Sequence, residues 1–429
     1  MNSNEQIKKQ TVCEPSLFGK IVIGMQMLFV AFGALVLVPL LTGLDPNIAL
    51  LTAGAGTLLF HVITGSRLPV FLASSFAFIA PIIYGIRSFG IGETLGGLAV
   101  VGVVYVLLSF LAKAGGAEAI KRYLPPVVTG PVIMVIGLKL APVAVNMAKS
   151  FDGSGVFDGT AAIISITSLV VSILAVIYGR KIFRLIPILI GVAAGYLLAL
   201  ILGVVDFSPI QDSAWLVNPW KTAVTAGRYA LPVFNLTAIL YILPVAIAPA
   251  IEHIGDVLAI SSITGKDFIR KPGLHRTLLG DGLATSLAAL VGGPPNTTYS
   301  EVTGAVALTR AFNPLYMIIA ALFAIMLAFV GKLGAVLASI PTPVMGGVML
   351  LLFGMIASVG MRSLIKAKTD LSKSRNLIIV SLILVIGIGD MSISICCIEM
   401  GGIGLAGLVG FLLNIVLPNR LDDQVCGEG

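Results

Sequence analysis

Charge is what this sequence has least of. Only 11% of its 429 residues are charged, against 57% that are hydrophobic. A soluble domain carries about 25% charged residues, so a soluble fold of this length could not cover so much apolar surface. Cysteine is also scarce. Cys13, Cys396, Cys397 and Cys426 show neither metal-ligand spacing nor a disulfide framework, and are expected to be inert thiols. There are three histidines, 20 acidic residues and two tryptophans. No stretch interleaves basic with aromatic residues, which excludes a nucleic-acid surface. P-loop, GxSxG and HExxH patterns are missing as well. With no nucleotide-binding or metal-binding motif, any work done must draw on an ion gradient or on a substrate's own gradient, and no cofactor is expected. A membrane enzyme is disfavoured because no nucleophile–base pair is visible.

What the chain does have is long apolar runs. A spanning helix needs about 20 apolar residues. Twelve candidates stand out, at 20–42, 47–66, 90–112, 126–148, 160–180, 183–204, 233–262, 275–292, 313–338, 343–364, 375–390 and 399–418. The first is read as a retained helix, because residues 1–19 are polar where a cleaved signal would need an apolar core. Two further runs, 69–84 and 296–310, are short with polar centres. Counting both as crossings gives fourteen. With the N-terminus in the cytoplasm, 21 of the 27 basic residues then fall on the cytoplasmic side. Omitting one short run would invert the loops between the two, so the positive-inside rule favours fourteen crossings with both termini cytoplasmic.

The chain also repeats itself. Pro126-Val127-x-x-Gly130 with Gly137 returns as Pro343-Val344-x-x-Gly347 with Gly354, 217 residues on. Gly195-Tyr-Leu-Leu returns as Gly410-Phe-Leu-Leu at a shift of 215, and Ser109–Lys113 loosely matches Ala328–Lys332 at 219. Seven spans per copy is an odd number, so the second copy enters the membrane inverted. The expected fold is therefore an all-α polytopic membrane protein of fourteen transmembrane segments in a 7+7 inverted repeat. Its expected parts are a cytoplasmic tail at 1–19, a first repeat at 20–204, an extracellular linker at 205–231, a second repeat at 232–418 and a cytoplasmic tail at 419–429.

Both short runs are third in their copy, and short interrupted segments in corresponding places point to a transporter's binding site. Pro294 and Pro295 cannot sit inside a continuous helix, so an extended stretch followed by a half-helix from near Ser300 is expected. In the partner run, Ser74 and Ser75 are suited to capping a half-helix from about Phe76. Two such helix starts would place free N–H groups in the middle of the protein.

Three acids fall at membrane depth: Glu252, Asp256 and Glu301. Intramembrane carboxylates are costly and usually functional. Glu252 and Asp256, four apart, share a helix face. Two carboxylates this close in a low dielectric do not both carry charge, so the pair is suited to holding a proton near neutral pH. His253 points elsewhere and is read as a structural hydrogen-bonding residue. Lys139 is expected to snorkel to the outer interface, and Asp281 and Asp390 to be interfacial. Phe29, Phe32 and Phe353 are expected to pack.

Pro295-Asn-Thr-Thr-Tyr-Ser-Glu301, with Gly304 and Thr309-Arg310, resembles the signature of the nucleobase–ascorbate transporter family. Ser74-Ser75-Phe76-Ala-Phe78 and Glu252-His-Ile-Gly255 are similar to its uracil-transporting branch. The resemblance runs from about Gln26 to the last span. It implies a core domain of spans 1–4 and 8–11, a gate domain of spans 5–7 and 12–14, homodimers through the gate domains, and proton-coupled import of a nucleobase across the cytoplasmic membrane by alternating access. Carried onto this sequence, it implies substrate binding by Glu252, Glu301, Phe76, Ser75, Ala34, Tyr299 and Ser300, and proton coupling by Asp256, Glu301 and Glu252. The partners implied are uracil or a related nucleobase, protons and membrane lipids, with no nucleic acid. The chain departs from the pattern in Asp256, where some relatives carry a histidine, in Met27 where a histidine often follows the glutamine, and in Val302 in place of asparagine. Xanthine or another purine stays open as substrate, as does an anion exchanger or channel on the same fold.

Overall fold

The computed structural model describes residues 16–418 apart from 124, 181, 182, 184, 185, 390, 396 and 397. All four cysteines, Asp390 and most of both tails lie outside the described residues. Within them the backbone is chiefly helical, the form that satisfies its own amides inside a bilayer.

The first half runs α1 (Leu17–Thr42), α2 (Pro46–Thr64), strand β1 (Leu72–Ser74), a 3-10 turn at Phe76–Phe78, α3 (Ile79–Ser88), α4 (Ile91–Tyr123), α5 (Pro126–Lys149), α6 (Gly159–Tyr178) and α7 (Pro187–Ile201). Two short helices, α8 (Ser208–Asp212) and α9 (Pro219–Thr225), occupy the linker. The second half runs α10 (Leu236–Ile242), a 3-10 turn at Leu243–Ala246, α11 (Ile247–Thr264), α12 (Leu274–Val291), strand β2 (Asn296–Thr298), α13 (Ser300–Thr309), α14 (Leu315–Ala328), α15 (Gly331–Ala338), α16 (Thr342–Lys366), α17 (Ser374–Ile388), strands β3 (Ser392–Ile395) and β4 (Ile398–Gly401), and α18 (Gly402–Val416). Seven helical stretches among the described residues are long and apolar enough to cross a membrane, and five shorter apolar helices accompany them.

Local chemistry sets the ends. Asp45 caps α2 by accepting from the amides of Asn47 and Ile48, with Pro46 at the first helical position where its missing N–H costs nothing. Gly43 and Gly65 close α1 and α2 in the left-handed conformation.

Three expectations from the sequence need correction. The run 233–262 is not one helix: Pro244 removes a donor, and the chain passes through a 3-10 turn between α10 and α11. The run 313–338 breaks at Phe329–Val330, because the linker supplies other partners there. Val217 donates to the Phe329 carbonyl at 3.0 Å and Gly331 to that of Trp215 at 3.0 Å. The fold is also not purely helical. β1 pairs with β2 antiparallel, and β3 pairs with β4 just before α18.

The helices sort into two packed groups. In one, α12 lies against α2 and α4, α14 against α1 and α2, and α10 against α4. In the other, α5 lies against α16 and α17, α6 against α7 and α16, and α17 against α18. Small residues let these backbones approach. A methyl added at Gly137 would fall 2.7 Å from the Ala357 amide nitrogen, and one at Gly282 2.6 Å from Cβ of Tyr105. The repeated glycine pattern thus places Gly130 and Gly137 on the α5–α16 contact. Corresponding segments of the two halves meet three times, α2 with α12, β1 with β2 and α5 with α16.

Candidate functional site

The β1–β2 pair is the centre of the site. Its register sets Leu72 opposite Thr298, Ala73 opposite Thr297 and Ser74 opposite Asn296. Ser75 extends the pairing by donating its N–H to the Pro295 carbonyl at 2.9 Å. A two-stranded ladder leaves two edges with unsatisfied backbone groups, which are costly away from water. Threonines on the flanking helices supply partners. Thr57 Oγ1 of α2 accepts from the Leu72 amide at 2.9 Å, and Thr285 Oγ1 of α12 donates to the Asn296 carbonyl at 2.6 Å. The Asn296 amide group in turn donates to the Thr52 carbonyl at 2.9 Å.

Both strands end in helix starts. The Phe76–Phe78 turn leads into α3, and α13 begins at Ser300, where the sequence placed its half-helix. Glu301 sits in the first turn of α13, where the helix dipole favours a negative group. The expected serine cap is not made. Ser75 precedes the turn with no side-chain capping bond, and the hydroxyls of both Ser74 and Ser75 are buried without a protein partner. Strand pairing commits this backbone to the Pro295 side, so the hydroxyls are left facing inward with that of Thr297, while the Thr298 hydroxyl reaches toward the Asp256 carboxyl and that of Tyr299 toward the Ala34 main chain. So many orphaned polar atoms in a native interior call for a ligand or water to meet them.

α11 supplies the other wall. Asp256 Oδ1 accepts a 2.6 Å hydrogen bond from Ser300 Oγ, tying α11 to the start of α13. Its Oδ2 has no protein partner. Glu252, one turn earlier, lies close enough to Asp256, Glu301 and Asp281 to feel their charge. Tyr299 is buried, and its ring lies 6.1 Å from that of Phe76 at 39°. Ala34, fully buried in α1, belongs to the same apolar cluster as Tyr299. The structure therefore joins Asp256 with Ser300 and Phe76 with Tyr299, and gathers Glu252 and Glu301 beside them. Met27 and Val302, two of the departures from the family pattern, are buried in that apolar cluster.

Of these residues, Glu301 lines a cavity of about 40 Å³ between the two helix groups, together with Phe29, Val30 and Gly33 of α1, residues 186–189 at the start of α7, and Leu351, Leu352 and Met355 of α16. This is roughly the space of one water molecule. Phe29 is thus at the edge of the site, whereas Phe32 and Phe353 are buried packing residues as expected.

The sequence missed a second polar group behind the acids. Asp281 is not interfacial. It lies two turns into α12, fully buried, and its Oδ2 stands 3.2 Å from His253 Nδ1. Tyr105 of α4 is buried alongside, within electrostatic reach of Asp281 and Glu252. The signal was the i,i+1 adjacency of Glu252 and His253, which sends their side chains to opposite partners. Lys139 is half-buried and lines a cavity between α3 and α5.

The sequence model of the permease family matches residues 18–395. A "Probable uracil permease" of Haemophilus influenzae is 55% identical over 94% of this chain and 95% of its own length. The uracil permease of Bacillus caldolyticus is 44% identical over 95% and 94%, and that of Escherichia coli K12 is 42% identical over 94% and 92%. The chain belongs to the nucleobase–ascorbate transporter family. It is a multi-pass membrane permease. Among solved structures, the transmembrane domain of a cyanobacterial bicarbonate transporter, BicA, superposes with a TM-score of 0.64 at 13% identity, covering 93% of this chain and 97% of that one. The murine Slc26a9 anion transporter in its inward-facing state superposes at 0.63 and 13%, covering 94% and 68%. At those identities the likeness concerns the fold alone.

Proposed function

We propose that this protein is a proton-coupled uracil symporter of the cytoplasmic membrane. The observation that carries the reading is the β1–β2 crossing, with two helix starts leaving it and Glu252, Asp256 and Glu301 gathered around it. Uracil presents two N–H donors and two carbonyl acceptors. Carboxylates at Glu252 and Glu301 accept from the N–H groups through charge-assisted bonds, and main-chain amides at Phe76 and Ser300 donate to the carbonyls. Ser75, Tyr299 and Ala34 complete the walls. A buried site built this way rejects analogues that lack either kind of group, since its own polar atoms would be left unpaired. Named uracil permeases at 42–55% identity over more than 90% of each chain support the substrate.

Asp256, Glu252 and Glu301 are the groups that take up and release the proton, and the proton gradient is the energy source. The helix group containing α1–α4 and α10–α14 acts as the core, and the group containing α5–α7 and α16–α18 as the gate, through which two copies pair. Core and gate rock against each other around the crossing. The long and short apolar helices, together with α12 and α13, support fourteen crossings, and the basic residues support two cytoplasmic termini. Glu252 and Glu301 beside the helix starts disfavour an anion there, although the fold is shared with anion transporters.

Uptake of radiolabelled uracil into proteoliposomes with an imposed inward proton gradient tests the proposal. Accumulation that needs the gradient, that xanthine does not block and that Glu301→Gln abolishes is the expected result. Undiminished gradient-driven uptake in that variant would overturn the role of Glu301. Accumulation of xanthine alone would move the substrate to a purine.

A further inference from the structure

A cavity of about 680 Å³ opens at the end of the core that the charge distribution places in the cytoplasm. Three loops far apart in sequence form it: Ser66 and Arg67 after α2, residues 266–268, 270 and 271 after α11, and Pro314 before α14. Both helices end in the same way. The Thr64 and Thr264 hydroxyls donate to the carbonyls of Phe60 and Ile260 at 2.7 Å, and Gly65 and Gly265 then turn the chain in the left-handed conformation. The loops that follow are fixed from inside. His61 Nε2 donates to the Val70 carbonyl at 3.1 Å, and the buried Phe268 donates its N–H to Ser261 Oγ at 3.2 Å. The side chains that line the cavity are thus carried on an ordered frame.

Four of them are cationic, Arg67, Lys266, Arg270 and Lys271, against one carboxylate, Asp267. That carboxylate is already engaged. Its Oδ2 meets Arg270 Nε at 3.4 Å, and its Oδ1 accepts from the Arg270 amide at 3.1 Å. Among the described residues, the side chains of Arg67, Lys266 and Lys271 have no ion-pair or hydrogen-bond partner. Helix C-termini draw cations, because the negative end of the dipole lies there, but a dipole leaves the N–H donors themselves unpaired. Three like charges turned into one hollow repel one another, and a bound anion relieves that repulsion. Phosphate suits this lining best. Arg67 offers a planar fork of donors and the two lysines offer point charges.

A phosphate belongs either to a lipid or to a soluble metabolite, and the surroundings decide between them. Val62, one turn before Ser66 on α2, is 78% exposed. Leu315, next to Pro314, begins an exposed apolar face of α14 that continues through Leu322 and Met326. These lie seven and eleven residues further on and so on one side of the helix. Acyl chains cover such a face, and a soluble phosphate has no use for it.

We propose that this cavity seats the headgroup of an anionic phospholipid of the inner leaflet, with its phosphate held by Arg67, Lys266 and Lys271 and its acyl chains along the α14 face. Basic pockets at the cytoplasmic ends of membrane helices suit such headgroups. The lipid ties together loops that lead into β1, out of α11 and into α14, and so steadies the core around the crossing. The inference rests on the cytoplasmic placement of this end and holds whatever the substrate.

Thermal unfolding of the purified full-length protein in neutral detergent, titrated with phosphatidylglycerol, tests this. Tm should rise saturably with phosphatidylglycerol and not with phosphatidylcholine, since a ligand of the native state stabilises it. The triple variant Arg67→Gln, Lys266→Gln, Lys271→Gln should keep its Tm in detergent alone, because these side chains have no partners to lose. It should need about tenfold more phosphatidylglycerol for the half-maximal shift, and Lys266→Gln with Lys271→Gln should fall between. Leu315→Gln with Leu322→Gln should raise the half-maximal amount as well. Removing as much charge elsewhere on the same side, with Lys113→Gln, Arg362→Gln and Lys366→Gln, should leave the titration unchanged. No shift with phosphatidylglycerol, an equal shift with phosphatidylcholine, or a shift that the triple variant keeps in full would overturn the site. Equal losses in the triple variant and the charge control would reduce it to general attraction and overturn it too. An equal shift with glycerol 3-phosphate, untouched by the leucine changes, would make the ligand a soluble phosphate and overturn the lipid.

Discussion

Single residues carry opposite burdens in this interior. Asp281 is fully buried and its Oδ2 stands 3.2 Å from His253 Nδ1. Removing one member of such a buried polar pair leaves the other without its partner. His253→Ala should therefore lower the unfolding free energy by about 1–3 kcal/mol, read as a lower Tm in detergent. Replacing both residues with alanine should recover a large part of the loss. Ser300 has a different kind of role. Its hydroxyl holds Asp256 Oδ1 at 2.6 Å and so fixes that carboxyl relative to the start of α13. Ser300→Ala should reduce the Vmax/KM of uracil uptake about tenfold, the equivalent of 1.4 kcal/mol, with Tm nearly unchanged. Both residues sit beside sequence features that were easy to see, but what they touch was not visible. A helical i,i+4 spacing tells which side chains share a face and says nothing of what the neighbouring helix presents to it.

At the scale of elements, the crossing depends on α2 and α12 supplying what two short strands cannot. Gly56 of α2 lies where any side chain would meet the site's scaffold, since an added Cβ would stand 2.6 Å from Asn296 Nδ2 and 3.1 Å from Cβ of Ala284. Gly56→Ala should displace β2 and lower stability by about 1–3 kcal/mol through overpacking, seen as a fall in Tm together with a loss of uracil binding. The linker gives a pH-dependent counterpart outside the membrane. Asp206 accepts from the amide of Ser208 at 2.9 Å and from its hydroxyl at 2.7 Å, and these bonds hold its carboxyl below the ordinary range. The charged form is the one that closes this turn, so the contact is present at neutral pH and is lost as pH falls through that lowered value. The protection of the Ser208 amide from hydrogen exchange, relative to an unstructured peptide at the same pH, should fall over that acid window, and Asp206→Ala should abolish that protection at every pH. Element boundaries were legible where side-chain chemistry sets them. The prolines before β2 and the helix start at Ser300 follow from missing donors. The break at Phe329 was hidden because the partners that replace its helical hydrogen bonds come from residues 215–217, more than a hundred positions away.

For the whole molecule, the cavity at Glu301 is the size of a water, so a base can occupy the centre only when the two helix groups part. Val30 and Leu351 face this cavity from opposite groups. Cysteines at both positions, in a background with the native cysteines replaced by serine, should allow a cleavable bifunctional thiol reagent to arrest uracil uptake, and cleavage of the linker should restore it. Persistent uptake with the two positions joined would show that the groups need not separate here.

Composition and pattern along the chain were enough to place it in lipid and to mark two short polar segments and three acids as its centre. Each of those conclusions rests on period, composition or the valence of a residue type, properties that a chain carries before it folds. Packing alone settles that the serine pair is engaged by strand pairing instead of capping, that Asp281 is buried against His253, and that Lys139 lines the seam between the helix groups. Those outcomes depend on which helices become neighbours. In a protein whose helices all look alike to lipid, that choice is made by close packing at small residues and by pairing of buried polar groups, and neither has a signature along a single strand of sequence.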